Sequence, residues 1–597
     1  MRRRMFCGRI VGMNELDASK IPYGISDFKL IRDEGRYYVD KTAYISSLEM
    51  SGDFIFFVRP RRFGKSLFVS MLRCYYDLNE KNNFEKYFGN LAIGRNPTVN
   101  RNRFMVLHLD FSKVGKEVGD SLPEKFESYL ETRLYLLLRE YGHLFDASFI
   151  EECRSLTVSR RFDMIVGAAK AAGVPTYLII DEYDNFTNAL IRSAGSDPYR
   201  SITHGAGFYR EWFKAFKGDV ARIFMTGVSP VTLDDLTSGF NIATNISQDA
   251  RFNAMLGFSE SEVLRIYQDF KGVGEFQEGD PAEVVRSIKP WYDGYCFSTA
   301  KVGRESVFNS DMVLYHLKSM VLTGLPPENM VDANISTDYD KLETIVDLQR
   351  QAGAQDVEDV SPLTEELAAH GEIAFDLVPS FPADAIIKTA NFRSLFHYYG
   401  VLSMAERRKG MTFFRVPNIC VEKQIFNYLR DSYGRVKLPD WVDWTHLASA
   451  FAYRGAWQPF LRRLAADFAE TTPVRGALSG EVRLQGYMQA EFGHLNYYLM
   501  KPEMELACGF CDFCLFPERV YYGDVKHSYI IELKHAKADA SDAELAEKAA
   551  EGIDQLHRYA ADRCVPNLAR GTELHLILFQ IKGKELVRCE EIPRREP

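Results

Sequence analysis

Residues 52–78 read Gly-Asp-Phe-Ile-Phe-Phe-Val-Arg-Pro-Arg-Arg-Phe-Gly-Lys-Ser-Leu-Phe-Val-Ser-Met-Leu-Arg-Cys-Tyr-Tyr-Asp-Leu. The run ending at Val58 is aromatic and β-branched, and Leu67 to Leu78 repeats its apolar positions at helical spacing, so the pattern is strand, loop, helix. A loop of this kind presents main-chain N–H groups at a helix N-terminus, where phosphate binds. Lys65 would reach the β and γ oxygens and Ser66 would offer its hydroxyl to Mg²⁺, with Arg61, Arg62, Phe63 and Gly64 completing the cradle. Arg59 stands where the GxxxxGKS pattern wants glycine, which restricts the turn. Read alone, the tripeptide at 64–66 also suits an ordinary helix start.

The second element is Tyr177-Leu178-Ile179-Ile180-Asp181-Glu182, a buried strand ending in two carboxylates. Asp181 would hold Mg²⁺ and Glu182 would activate a water, the complement of a phosphate loop. A solvated acidic turn, with Asp184 nearby, is the plainer alternative. A third short run, Arg222 to Met225, ends in Thr226-Gly227-Val228-Ser229, where Thr226 or Ser229 could sense a γ-phosphate. With Phe104 to Leu109 and the helical stretch Pro123 to Tyr141, this alternation predicts a mainly parallel sheet with crossover helices.

The totals bound the rest. At 597 residues the chain needs several cores. A net charge of −9 excludes a generally basic surface, so a nucleic-acid partner would be held by a local patch or through metal ions. Ten scattered cysteines read as reduced thiols, and neither a signal-peptide core nor a ~20-residue apolar span is present in the sequence, which points to a cytoplasmic protein without a membrane segment. The expected divisions are a tail at 1–20, the phosphate-loop domain at 21–235, a helical lid and connector at 236–470, and a second α/β domain at 471–597. In the connector, the aromatic Trp291-Tyr292-Asp293-Gly294-Tyr295 and Phe392 to Leu402 stretches are expected to pack in the core.

In the last segment, Asp512 lies in the apolar run Phe510 to Phe516, and Glu532 and Lys534 lie in Tyr529-Ile530-Ile531-Glu532-Leu533-Lys534. Strand periodicity puts Glu532 and Lys534 on one face. Asp512 on a neighbouring strand would complete a carboxylate pair for Mg²⁺, with Lys534 stabilising charge that develops at a phosphodiester. An ExK triplet alone is common on solvated strands. Ser541 and Glu544 have capping-box spacing and start a helix on which Gln555 and Tyr559 share a face. Cys508, Cys511 and Cys514 have CxxCxxC spacing, but no fourth ligand is close by and positions three apart on a strand should face opposite ways, so packing is the expected role. His527 and His535 read as surface histidines.

Ile21-Pro22-Tyr23-Gly24-Ile25-Ser26-Asp27-Phe28, Tyr38-Val39-Asp40-Lys41-Thr42, the Arg-rich loop 59–66 and Trp291 to Tyr295 resemble the bacterial AAA-ATPase-like proteins that end in a PD-(D/E)XK nuclease domain. The resemblance covers nearly the whole chain. It implies an α/β architecture: an AAA-like P-loop NTPase domain, a helical middle region and a restriction-endonuclease-like C-terminal domain. It also implies that the Gly-poor loop is the normal form, that Glu481 is the helical acidic residue of the nuclease and that Gln555 belongs to a QxxxY helix. Glu503 is a further, weaker candidate. The expected cofactors are ATP and Mg²⁺, and the expected partner is nucleic acid, with DNA ahead of RNA. A homo-oligomer is also expected of such a module. The rival reading is a nucleotide-dependent sensor or scaffold whose nuclease fold binds without cleaving, and a role in defence or mobile elements rests on analogy alone.

Overall fold

The computed structural model describes residues 16–595 apart from 117–120, 186–211, 217, 233–242, 333–366, 368–370, 383–384, 386–387, 425–440, 472–483, some positions between 486 and 508, and 520–521. The chain divides into two compact units, Met1–Val357 with Ala374–Cys420, and Glu358–Ile373 with Val421–Pro597.

The first unit is built on five strands: β1 (Phe54–Val58), β2 (Met105–Asp110), β3 (Thr176–Asp181), β4 (Arg222–Gly227) and the short β5 (Thr244–Asn245). They lie in the order β2-β3-β4-β1-β5, and every pairing is parallel. Parallel strands need crossovers, and helices α1 (Lys65–Tyr76), α2 (Leu122–Glu140) and α3 (Val158–Ala171) fall between them. Helix α2 starts where Ser121 and Glu124 form a capping box, with Pro123 in its first turn. Its Phe126, Leu130, Leu134 and Leu137 recur at helical spacing and join a core with Leu107 of β2 and Leu178 and Ile180 of β3. The order places β4 between β1 and β3, so the ends of three strands open on one edge.

Beyond this sheet the unit continues with helices α4 (Glu260–Phe270) and α5 (Ser310–Thr323) and the antiparallel pair formed by 403–408 and 411–415. Tyr292 and Tyr295 are buried, as are Phe392, Leu395 and Phe396. Both aromatic stretches are therefore core, as their periodicity suggests.

The second unit carries helices α6 (Trp441–Arg454), α7 (Trp457–Thr471) and α8 (Asp542–Ala560) around strands β6 (Tyr498–Leu506), β7 (Gly509–Pro517), β8 (His527–Ala536), β9 (Glu573–Lys582) and β10 (Glu585–Glu591). The strands run in sequence order, antiparallel except for the β8–β9 pair that α8 bridges. Phe451, Phe460 and Leu464 of α6 and α7 pack on Tyr529, Ile531, Leu533 and Phe579. On the opposite face Ala549, Leu556 and Tyr559 of α8 pack on Ile530, Leu576 and Leu578. Helices α6 and α7 fall within the stretch assigned from sequence to the connector, yet their apolar faces complete the C-terminal core. Strand β10 went unread because its burial alternates weakly at the sheet edge.

Candidate functional site

At the end of β1 the chain turns through Arg59 to Ser66 into α1. Gly64 caps the helix at φ +90°, a conformation that strains any residue with a Cβ. Lys65 is buried and its Nζ donates to the carbonyls of Arg59 and Pro60 at 3.0 and 2.8 Å. Burial pulls its pKa down to about 8, opposed by the charges of Glu182, Asp181 and Asp184. The next residue, Ser66, is hydrogen-bonded to the Asp181 carboxylate, joining the loop to the end of β3. Burial raises the Asp181 pKa to about 6 despite that hydrogen bond and the nearby Lys65 charge.

Glu182 follows with φ +50°, a left-handed conformation that costs roughly 1 kcal/mol for a residue with a side chain. It is fixed by its own N–H on Asp181 Oδ1 at 2.9 Å, and the next residue, Tyr183, donates its N–H to Thr226 O at 3.2 Å. The bend makes Glu182 part of the wall of a cavity of about 440 Å³, together with Arg61 through Phe68 and, from the N-terminal segment, Ile25, Tyr38, Val39 and Lys41. That volume suits a small-molecule ligand. The apolar wall from 25–39 was part of the recognised pattern but carried no site assignment from sequence. Lys41 ties this wall to α4 through both oxygens of Glu262 at 2.8 Å.

Four loop details depart from a simple cradle. Arg59 is 2 % exposed and faces away from the cavity: its guanidinium donates to the carbonyls of Val58, Ser247 and Phe252 and lies between the Phe57 and Phe297 rings. Burial lowers its pKa only to about 9, so it stays a cation. Arg62, at φ +69°, pairs with Asp311 at 3.0 Å. The Phe63 ring packs edge-on against Tyr295 and Phe297, leaving its main chain to the loop. Of the two sensing candidates, Ser229 is built into its own turn: its N–H donates to Asp184 Oδ2 at 3.1 Å and its Oγ accepts from Val231 N at 3.2 Å, which leaves its O–H proton to donate. Thr226, on the central strand β4, keeps a buried Oγ1 with no partner among the described residues. Asp184 is thus the clamp that holds the 228–229 turn, not a solvated acid.

The second cluster lies on β7 and β8. Asp512 Oδ2 accepts the main-chain N–H of Leu533 at 2.7 Å, so the two strands bring Asp512 beside Glu532. Glu532 is 3 % exposed; its Oε1 accepts from Lys534 Nζ at 2.9 Å, and its Oε2 is buried with no hydrogen-bond partner among the described residues. Burial, then the Asp512 charge, push the Glu532 pKa up to about 8. Lys534 stays above its ordinary pKa because the Glu532 and Asp512 charges outweigh a larger burial penalty from its surroundings taken singly. From α8, Gln555 presents a second buried oxygen, Oε1, without a partner among the described residues, and the charges of Glu532 and Asp512 reach Tyr559. The capping box at Ser541 and Glu544 is formed.

Gly552, unread from sequence, sets the approach of α8: a Cβ there would lie 2.7 Å from Leu578 Cδ1 and 3.3 Å from the Lys534 side chain. Glu481 lies outside the described residues, as does Cys508. Cys511 and Cys514 correct the expectation of opposite faces, since both sit in the α8-side core and are hydrogen-bonded to each other. Burial pushes the Cys511 thiol well above its usual range, the opposite of a metal-bound thiolate. His527 is also not a surface residue; it is paired with His575.

A phosphate loop joined by a serine to a strand-end aspartate defines a P-loop nucleotide-binding unit, and an Asp…Glu-x-Lys cluster on adjacent strands defines a nuclease-type fold. Residues 22–237 match the family model described as a predicted AAA-ATPase, and residues 480–591 match that of the PD-(D/E)XK nuclease superfamily. The chain is also similar to an uncharacterized protein in the vnfD 5' region of Azotobacter chroococcum mcd 1, with 28 % identity over 306 residues. That match covers 51 % of this chain and 53 % of the relative, about half the length of each. No solved structure matches. Both families are of enzyme type, ATPase and nuclease, and such domains generally use a nucleotide and a divalent metal. Among the described residues no helix is long and apolar enough to cross a membrane.

Proposed function

We propose that this chain is an ATP-binding switch that governs a Mg²⁺-dependent nuclease acting on phosphodiester bonds, with DNA as the preferred substrate. The observation that carries the reading is the unpartnered, buried Glu532 Oε2 beside Asp512 and Lys534. A buried carboxylate oxygen without a donor is costly, and a divalent cation held by Asp512 and Glu532 would relieve that cost. A cation in that position supplies Lewis acidity and a more acidic bound water. Lys534 would then stabilise charge on the scissile phosphate, and Gln555 would position a water or the substrate through its free oxygen.

At the nucleotide end, Lys65 would leave the loop carbonyls for the β and γ phosphates, Ser66 and Asp181 would hold Mg²⁺, and Glu182 would orient the attacking water. Thr226, with an unsatisfied hydroxyl on the strand between them, suits γ-phosphate sensing better than Ser229 does. The Arg59 contacts support nucleotide binding by this Gly-poor loop, because its cation shapes the turn from inside. Incubating the purified protein with plasmid, linear DNA and RNA in Mg²⁺ or Mn²⁺ tests the proposal. Cleavage by the wild type and none by Glu532→Ala is expected. Equal cleavage by both, or none by the wild type on any substrate, rejects it.

A further inference from the structure

The parallel strands β8 and β9 bring a second chemical cluster to their first residues, on the face opposite Glu532 and Lys534. His527 pairs in register with Glu573, and Tyr529 with His575. Glu532 lies five residues further along β8, roughly 16 Å away by strand rise. His575 Nδ1 bonds Glu591 Oε1 of β10 at 2.8 Å, which fixes the proton on Nδ1 and leaves a lone pair on Nε2. That Nε2 lies 3.0 Å from His527 Nδ1, and Glu573 Oε2 lies 3.6 Å from the same His527 nitrogen. One donor atom from each of the three residues falls within 4.8 Å of the others.

The cluster is built rather than incidental. The Tyr529 ring stacks on His575 with centroids 5.0 Å apart, and is itself stacked on Phe451. Gly455, at φ +64° just beyond α6, approaches the His527 ring so closely that a Cβ would lie 2.7 Å from its Cε1. The imidazole side chains are 14 % and 7 % exposed, whereas Glu573 is 69 % exposed and gives access from solvent. Two imidazoles and one carboxylate form a donor set that favours zinc and its neighbours over Mg²⁺. With metal–ligand distances of about 2.0–2.2 Å, the observed separations close around one ion by small side-chain rotations.

We infer that His527, His575 and Glu573 form a divalent-metal site of the zinc class, with Glu591 orienting His575 and the remaining position left to water. The site would pin the ends of β8 and β9 to the turn after α6, and it stands independently of the proposed nuclease activity.

The test is a Co²⁺ titration of chelator-stripped full-length protein in a Glu532→Ala background, which removes one of the two carboxylates at the other candidate metal site. The expected result is uptake of one equivalent with visible d–d absorption, displaced by Zn²⁺. Glu591→Gln should weaken binding about 10–100-fold. His527→Gln and Glu573→Gln should abolish the absorption while far-UV circular dichroism stays unchanged; should the histidine variant misfold, the exposed Glu573 variant decides. No uptake by the parent at micromolar Co²⁺, or an unchanged spectrum in Glu573→Gln, would overturn the assignment and leave a hydrogen-bonded histidine pair.

Discussion

The two units solve the same electrostatic problem in different ways. Each buries an acidic side chain on a strand next to a lysine, yet in the phosphate-loop unit both of these groups are paired internally: Lys65 rests on loop carbonyls and Ser66 bonds Asp181. In the C-terminal unit Glu532 has one oxygen on Lys534, and its buried Oε2 meets no hydrogen-bond donor among the described residues. Burial raises both carboxyl pKa values, to about 6 for Asp181 and, with the Asp512 charge added, to about 8 for Glu532. A site whose groups are already paired must rearrange when ligand arrives, whereas an oxygen without a donor could take a cation with no hydrogen bond broken there. The first arrangement suits a switch and the second a metal centre.

The largest expected effect is on the C-terminal side. Glu532→Ala should lower cleavage by roughly 10²–10³-fold while ATP binding, measured by fluorescent-nucleotide titration, is unchanged. Loss of both would break the contrast between the units. Lys65→Ala should weaken ATP about 10–100-fold, the value of one charge-assisted contact, and leave the far-UV spectrum intact.

Arg59→Gly, which restores the commoner loop residue, should not improve nucleotide binding. It should instead cost about 3 kcal/mol in urea unfolding, because three buried carbonyls lose their donor and two rings lose their cation. Gly552→Ala should cost about 1–3 kcal/mol by overpacking and slow cleavage by displacing Lys534.

The pH dependence sharpens the comparison. In metal-free protein the folded Glu532 holds its proton up to about pH 8, while the unfolded carboxyl loses it near its model value of 4.5. The folded state therefore binds more protons across that window, and stability should fall as pH rises through it. Thermal melts between pH 5 and 8 should show this slope, with Glu532→Gln flattening it and Mg²⁺ raising the midpoint most at the alkaline end.

Much of this was legible in the sequence because strand-end motifs are local. The strands at 54–58, 105–110, 176–181 and 222–227 follow from apolar runs, and the capping box at Ser541 fixed the start of α8. What escaped was set by tertiary contacts. Arg59 looked like a defect in a glycine position, but its role depends on carbonyls nearly two hundred residues away. Asp184 looked solvated because its partners lie in the 228–229 turn that follows β4. His527 looked like an isolated surface histidine because His575 and Glu573 reach it only through the parallel pairing of β8 with β9. Helices α6 and α7 were assigned to the connector because an amphipathic pattern does not say which core its apolar face will meet.

The central claim, that a nucleotide site governs a separate metal-dependent cleavage site, is tested most directly by measuring cleavage of one DNA substrate in Mg²⁺ with and without ATP for three proteins. The account predicts that ATP changes the wild-type rate, that Lys65→Ala cleaves at a rate ATP does not alter, and that Glu532→Ala does not cleave. Cleavage by Glu532→Ala at the wild-type rate, or an undiminished ATP response in Lys65→Ala, would contradict it.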